Sequence, residues 1–460
     1  MTGDAPLWSL GIRDLTEGYG AGAFSPADAI ASIQERIAEV NPALNALVTP
    51  APTDRIAAEA ADSAGRWRAG RALGPLDGVP FTVKDNILAE GITATWGSKL
   101  FRDFVPETDE LPVARVRAAG AIVLGKTNVP EFTLEGYTSN LLFGTTRNPW
   151  NSELTPGGSS GGAVAAVVSG FGPFALGTDG GGSIRRPVAH TGLVGLKPSI
   201  GKVARHSGFP PVLFDFEVIG PIARTVEDAA LVFDVIAGPD ALDRASLAPD
   251  LAAVPGPKRI LYVPRFGDAP VDPEISRSVA AAADVLRGLG HEMTEGAVPF
   301  DIGTFNAAWP IVGAVGLAAL FDLHPGHEAL VNPKYLEMAE RGRAVSAPEY
   351  FEVIEAIHAL RRAMVGVFRS TDLILTPSIA ALSWPAAEAF PPLIDGREAG
   401  PRGHAIFTGW VNMAGLPAIG LPCAPSSSGL PIGFQLVGPF GADRTLLEVA
   451  GGYDGRVNAG

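Results

Sequence analysis

Cysteine is almost absent from this sequence, and positive charge is scarce. Cys423 is the single cysteine among 460 residues, which excludes an internal disulfide and any zinc site built from several cysteines. The 35 lysines and arginines stand against 49 aspartates and glutamates, so the net charge is −14. Because such a chain repels phosphate backbones and anionic membrane surfaces, we expect neither nucleic acid nor a membrane as a partner.

A secretory start and long apolar runs are also missing. The opening MTGDAPLWSLGIRDL has no basic segment followed by an unbroken apolar stretch, and we find no run of about 18 apolar residues in the chain. Together with the lone cysteine, these absences predict a soluble cytoplasmic protein. The composition leaves a homodimer open.

The composition and the order of the local patterns indicate the fold class. Hydrophobic residues make up 47% of the chain and charged residues 18%, which is typical of a protein with a large core. Ser25-Pro26 opens a helix that we expect to stop at Asn41-Pro42. Further on, helical patterns alternate with apolar stretches such as AIVLGKT and PFALGTD. We therefore predict an α/β fold with a mixed multi-stranded sheet covered by helices.

Glycine and serine are concentrated in one stretch, TPGGSSGGAVAAVVSGFGPFALGTDGGGSIRR, residues 155–186. Glycine clusters mark places where the main chain turns sharply or is approached closely. Two such clusters, each beside a serine and separated by an apolar helix and strand, predict a site. The sharpest is Gly180–Ser183, where three glycines allow successive N–H groups to point into one small concavity.

Three other motifs in the chain point elsewhere. Residues 120–127, GAIVLGKT, fit the phosphate-loop pattern, yet AIVL favours a strand and not a curled loop. Ser160 is the centre of a G-x-S-x-G pattern, with His404 as a candidate partner, but a polar proline-broken loop precedes it. Residues 199–202 fit S-x-x-K within a turn. A nucleotide-binding protein and a serine–histidine hydrolase stay as alternatives.

Several ordered blocks of the sequence resemble the amidase signature family. They are PLDGVPFTVKDNI at 75–87, GKTNVPEF at 125–132, FGTTRNPWN at 143–151, GGSSGG at 157–162, GTDGGGSIRRP at 177–187 and GLVGLKPSIGKVAR at 192–205, with NMAGLPAIGLP and GLPIGFQLVG near the C-terminus. The resemblance implies one amidase domain over 1–460, comprising an N-terminal helical cap at 1–60, a signature core at 60–240 and a substrate-shaping segment at 300–400.

The resemblance also implies a serine–serine–lysine triad that hydrolyses carboxylic amides without a cofactor or a metal. The matching positions are Lys84, Ser159 and Ser183. Ser183 corresponds to the nucleophile, and the N–H groups of Gly180, Gly181, Gly182 and Ser183 would form its oxyanion hole. Thr133 and Ser159 fall where the family contacts its substrate.

The chemistry places demands on three charged neighbours. Lys84 must be neutral to take a proton, so we expect burial to lower its pKa, with the charge of Asp85 held on the opposite side of the strand. Asp179 and Arg185 are expected to shape the glycine loop and not to react.

The identity of the substrate stays open at this stage. A small-molecule amide is the main expectation, with a hydrazide, an ester or a urea-like compound as alternatives. The glutamine-hydrolysing subunit of an aminoacyl-tRNA amidotransferase is a further alternative, although residues 349–371 do not reproduce the segment expected for it. Five aromatic side chains are candidates for an acyl pocket: Trp96, Phe143, Phe214, Phe216 and Trp309.

Overall fold

The computed structural model describes residues 5–248 and 251–458. The two ends of the predicted 1–460 domain and residues 249–250 lie outside this part of the chain. The α-helices in it are α1 (Ile12–Ala21), α2 (Pro26–Leu44), α3 (Thr53–Arg68), α4 (Leu111–Ala118), α5 (Gly161–Val168), α6 (Arg185–Thr191), α7 (Val226–Ile236), α8 (Pro273–Gly288), α9 (Ile302–Asp322), α10 (Pro333–Arg343), α11 (Ala347–Val367), α12 (Gly409–Met413) and α13 (Asp443–Asn458).

The strands of the described chain are short and mostly buried. They are β1 (Leu47–Pro50), β2 (Pro80–Lys84), β3 (Ile122–Thr127), β4 (Ser139–Asn140), β5 (Gly144–Thr145), β6 (Phe174–Asp179), β7 (Val194–Lys197), β8 (Val218–Ala223), β9 (Arg259–Tyr262), β10 (Glu292–Glu295), β11 (Leu373–Pro377), β12 (Leu393–Ile394), β13 (Arg397–Glu398), β14 (Ala418–Cys423) and β15 (Ile432–Val437).

Eleven of these strands form one sheet, in the order β1-β3-β2-β6-β8-β7-β14-β15-β11-β9-β10. The sheet is mixed, since β2 runs parallel to β3 and to β6, whereas β6 and β8 are antiparallel. Helices cover the sheet, and the predicted α/β fold is confirmed. Because β2 and β6 are parallel neighbours, their carboxyl ends, Lys84 and Asp179, lie at the same edge of the sheet.

The α2 helix shows how far the local signals were sufficient. Ser25 and Asp28 form a capping box with Pro26 in the first turn, as the sequence predicted. The predicted stop at Asn41-Pro42 is wrong, because the helix continues through Pro42 to Leu44. A proline in the last turn removes only one backbone hydrogen bond, and Asn45 ends the helix in the left-handed conformation, with φ of 54°.

The α9 helix departs from the expectation that no long apolar segment exists. By length and composition it could cross a membrane, with a mean hydropathy of 1.5, although glycine, threonine and asparagine interrupt its apolar run. Of its most apolar stretch, 56% is buried inside the protein. The core helix of a folded domain passes the same test, and α9 packs against α10 and α11.

The core beneath the site is held by a stack of two phenylalanines from neighbouring strands. Phe81 of β2 and Phe174 of β6 pair in register, and their rings stack 5.0 Å apart at an angle of 8°. Both side chains are fully buried. This contact fixes the spacing of the two strands that end in Lys84 and Asp179.

Replacing Phe174 by alanine should therefore lower the free energy of unfolding by about 3–5 kcal/mol, because a large cavity is left between the strands. Urea denaturation followed by circular dichroism measures the effect. Phe351→Ala on α11 is the matched control, since that ring is 61% exposed and its loss should change stability by less than about 0.5 kcal/mol. Equal effects in the two variants would contradict this account.

Candidate active site

Lys84 ends β2 inside the protein. The residue is fully buried, and its Nζ lies 2.8 Å from Ser159 Oγ, 2.8 Å from Thr178 Oγ1 and 3.1 Å from the Thr178 carbonyl oxygen. Burial lowers the pKa of Lys84 to about 7, against the opposing charges of Glu217 and Asp179. Lys84 is therefore a base held in contact with a serine hydroxyl.

Asp85, the next residue, turns its charge away from Lys84. Its carboxylate accepts hydrogen bonds from the backbone N–H groups of Thr95 at 3.2 Å and Gly97 at 3.4 Å, and from the Thr95 hydroxyl. The charge facing it is that of Lys126. The carboxylate is thus held apart from the Lys84 amine, as the alternation of side chains along a strand predicts.

The two serine loops are tied together by their backbones. The N–H group of Ser160 donates to the Ser183 carbonyl oxygen at 3.2 Å. The side chain of Ser159 is 1% exposed and that of Ser183 is 5% exposed. The Lys84–Ser159 contact and the loop of Ser183 therefore meet at one place.

A buried ion pair supports the loop that carries Ser183. Arg185 donates to Asp179 through Nε at 3.0 Å and Nη2 at 2.9 Å, and both side chains are inaccessible to solvent. Asp179 also accepts the N–H groups of Gly182 at 2.6 Å and Ile184 at 3.1 Å. Burial alone would raise the pKa of Asp179, but the Arg185 guanidinium holds it well below its ordinary value.

The far end of the chain completes this support. Arg185 donates to Gln435 Oε1 at 2.7 Å and to the Thr408 carbonyl oxygen at 3.3 Å. Asn412 donates its Nδ2 to the Asp179 carbonyl oxygen at 2.8 Å. The glycine loop is therefore held by residues more than 220 positions further along the chain.

The four predicted oxyanion-hole donors are not equivalent. Gly182 has φ of +117°, and a Cβ there would lie 2.2 Å from Thr408 Oγ1, so only glycine fits. Its N–H group is used by Asp179, which differs from the prediction. Within the described chain, the N–H groups of Gly180, Gly181 and Ser183 have no hydrogen-bond acceptor, and these three are left for a ligand.

Thr133 lies in a strained turn beside the site. Phe132 and Thr133 have φ of 53° and 58°, a conformation that costs energy for residues other than glycine. The Thr133 N–H group donates to the Pro130 carbonyl oxygen, and its hydroxyl accepts from Trp96 Nε1 at 3.2 Å. Thr133 lines the cavities on both sides of this turn.

A cavity of about 320 Å³ opens at Ser183 and Gly181. Of the predicted aromatic residues, Trp309 of α9 lines it, and Phe216 stacks behind that ring at 5.5 Å. Trp96 and Phe214 line the neighbouring cavity of about 400 Å³. The first cavity also carries arginines that the sequence analysis did not single out: Arg186, Arg341 and Arg402.

The alternative motifs lack the geometry that their functions need. Residues 122–127 are strand β3, and the Nζ of Lys126 is buried and donates to the Ile87 carbonyl oxygen. The Ser160 hydroxyl donates to the Thr178 carbonyl oxygen at 3.2 Å. Within the described residues, no histidine ring hydrogen-bonds to Ser159, Ser160 or Ser183. The phosphate-loop and serine–histidine alternatives therefore gain no support.

Comparisons with known proteins give one family. The model of the amidase family matches residues 28–447. The chain is 36% identical to one of the subunits of the glutamyl-tRNA(Gln) amidotransferase of Synechococcus sp. (strain CC9605), over 91% of each chain. It is 35% identical to the amidotransferase subunit of the same name from Roseiflexus sp. (strain RS-1), over 97% of this chain and 96% of the other.

Solved structures agree on the fold. A 6-aminohexanoate cyclic dimer hydrolase with bound substrate has a TM-score of 0.88 at 28% identity, covering 98% of this chain and 97% of its own. A bacterial aryl acylamidase of the amidase signature family has a TM-score of 0.89 at 30% identity, covering 98% and 96%. The names of the sequence relatives favour the amidotransferase alternative over the main interpretation of the sequence. This chain belongs to the amidase family and is an amide-hydrolysing enzyme.

Proposed function

We propose that the chain hydrolyses a carboxylic amide through an acyl-enzyme on Ser183. The observation that carries the proposal is the 2.8 Å contact between Lys84 Nζ and Ser159 Oγ, next to the loop of Ser183. Neutral Lys84 takes the proton of Ser159 while Ser159 takes the proton of Ser183. The Ser183 oxygen then attacks the amide carbon.

The remaining steps return every proton. Ser159 passes a proton from Lys84 to the departing nitrogen as the C–N bond breaks, so ammonia or an amine leaves. Water, deprotonated along the same path, attacks the ester on Ser183 and releases the acid. The free N–H groups of Gly180, Gly181 and Ser183 would stabilise the charge on the carbonyl oxygen in both halves of the reaction.

The predicted division of the domain belongs to this proposal. Residues 60–240 would carry the reaction, residues 1–60 would form the helical cap, and residues 300–400 would shape the substrate site. The contribution of Trp309 to the cavity at Ser183 supports the last assignment. Thr133 would contact the substrate where it lines the same cavity.

Glutamine is the first candidate for the amide, because the sequence relatives are named as subunits of glutamyl-tRNA(Gln) amidotransferases. A free small-molecule amide is the second candidate, because the matched structures include amide hydrolases. Ammonia release from glutamine, measured beside alkyl, aryl and dicarboxylic amides, distinguishes the two. A cytoplasmic location is part of the proposal, supported by the single cysteine.

A sulfonyl fluoride or fluorophosphonate should add its mass to the peptide that contains Ser183. The expected reason is that this hydroxyl alone combines the three free N–H groups with a nearby base. Intact mass and peptide mapping measure the label, and Ser183→Ala is the control that should stay unlabelled. A label on Ser160 would contradict the assignment.

Activity should rise with pH through an acid limb near pH 7, because the Lys84 amine accepts a proton only above its pKa of about 7. Lys84→Ala and Lys84→Arg should both lose nearly all turnover, since guanidinium keeps its proton in this range. Glu217 raises the pKa of Lys84, so Glu217→Gln should move the limb to lower pH.

Glu227→Gln is the matched control for that shift. Its carboxylate is half exposed and pairs with Arg13 on the surface, so the limb should stay in place. Profiles of kcat/KM against pH measure all four variants, with folding checked by circular dichroism. Substantial turnover by Lys84→Arg would remove Lys84 from the mechanism.

A further inference from the structure

The cavity at Ser183 carries an excess of positive charge. Three arginines line it, Arg186, Arg341 and Arg402, and its one acidic lining residue in the described chain is Glu135. Glu135 is already paired with Lys334 at 2.6 Å. The arginines therefore face a space without an available carboxylate, in a protein whose overall charge is −14.

Arg186 is the most unusual of the three. It is 6% exposed, and its Nε donates to the Gly182 carbonyl oxygen at 3.4 Å. In the described part of the chain it has no ion pair and no second hydrogen bond. Its neighbour Arg185 has a carboxylate partner in Asp179. A buried charge without a partner is costly, so a bound anion would offset that cost.

The charge of Arg186 persists at neutral pH. Burial and the charge of Arg402 lower its pKa to about 9, which still leaves the guanidinium protonated near pH 7. Arg402 is held above the ring of Trp309, with its guanidinium carbon 5.1 Å from the ring centroid. Two cationic groups thus lie on the same cavity as the serine.

We propose that the amide substrate carries a carboxylate and that Arg186 binds it while Ser183 attacks the amide. This inference rests on the proposed function and names its substrate class, the monoamides of short dicarboxylic acids. A guanidinium fork matches a carboxylate with two parallel hydrogen bonds. The spacing of three residues between Ser183 and Arg186 and the cavity of about 320 Å³ favour a short acyl chain.

The same charges discriminate against a zwitterion. Glutamine has an ammonium group beside its carboxylate, and that group needs an acidic partner in the site. Glu135 is occupied by Lys334, and the other charged side chains on the cavity are arginines. A monoamide with a carboxylate alone is the better match to this charge pattern.

Protection of Ser183 from phenylmethylsulfonyl fluoride tests the proposal in the full-length enzyme. Malonate, succinate and glutarate are compared with their uncharged diamides, and with glutamine, by the concentration that halves the labelling rate. At least one dicarboxylate should protect at a concentration on the order of 10- to 100-fold lower than its diamide. Ammonia release should show the same preference, in kcat/KM, for the monoamide over the diamide.

Arg186→Met should abolish this preference, and Arg186→Lys should retain part of it, because lysine keeps the charge without the planar fork. Arg287→Met is the matched control. That arginine is 55% exposed and pairs with Asp284, so its removal changes the net charge equally and should leave the preference intact. Circular dichroism checks the fold of each variant.

The outcomes separate this inference from the proposed function. Absence of a label on Ser183 would overturn the function itself. Labelling without any preference for dicarboxylates over diamides would overturn the substrate class and leave the function standing. An equal loss of preference in Arg287→Met would assign the effect to net charge, and stronger protection by glutamine than by the dicarboxylates would assign the cavity to a zwitterion. Either result would overturn the role of Arg186.

Discussion

The buried pair of Asp179 and Arg185 is the interaction on which the site depends. Two full charges without solvent are stable only when each remaining hydrogen bond is satisfied. Here the backbone of Gly182 and Ile184, together with more distant side chains, satisfies them. The pair therefore sets the shape of the glycine loop, and the direction of the Ser183 backbone follows from that shape.

The sequence predicted those parts of the molecule that local backbone signals control. The glycine clusters located the two serine loops, and the apolar stretch PFTVK located Lys84 at the end of a buried strand. Arg185 and Arg186 show where this reasoning stops. They are adjacent and chemically identical, yet one pairs with Asp179 and the other faces the cavity. Successive residues of a helix point in directions about 100° apart, so the choice depends on how α6 is packed.

The substrate side of the site was harder to predict for a related reason. Trp309 and Arg402 come from segments far from the glycine loops, and long-range packing brings them to Ser183. Neither segment has a motif that a single sequence reveals. The proposed reaction thus depends on a compact set of residues before position 186, and the choice of substrate on side chains that arrive from the last third of the chain.

The contacts of the glycine loop with Thr408, Asn412 and Gln435 have a consequence for biosynthesis. A ribosome that has translated the loop must still add about 250 residues before Gln435 reaches Arg185. Until then Arg185 lacks half of its partners, and the loop lacks its rear wall. Because domains fold as units, a partly made chain would hold all three proposed reactive residues without their working arrangement. Hydrolytic power is thus acquired late, when nearly the whole polypeptide is available to enclose it.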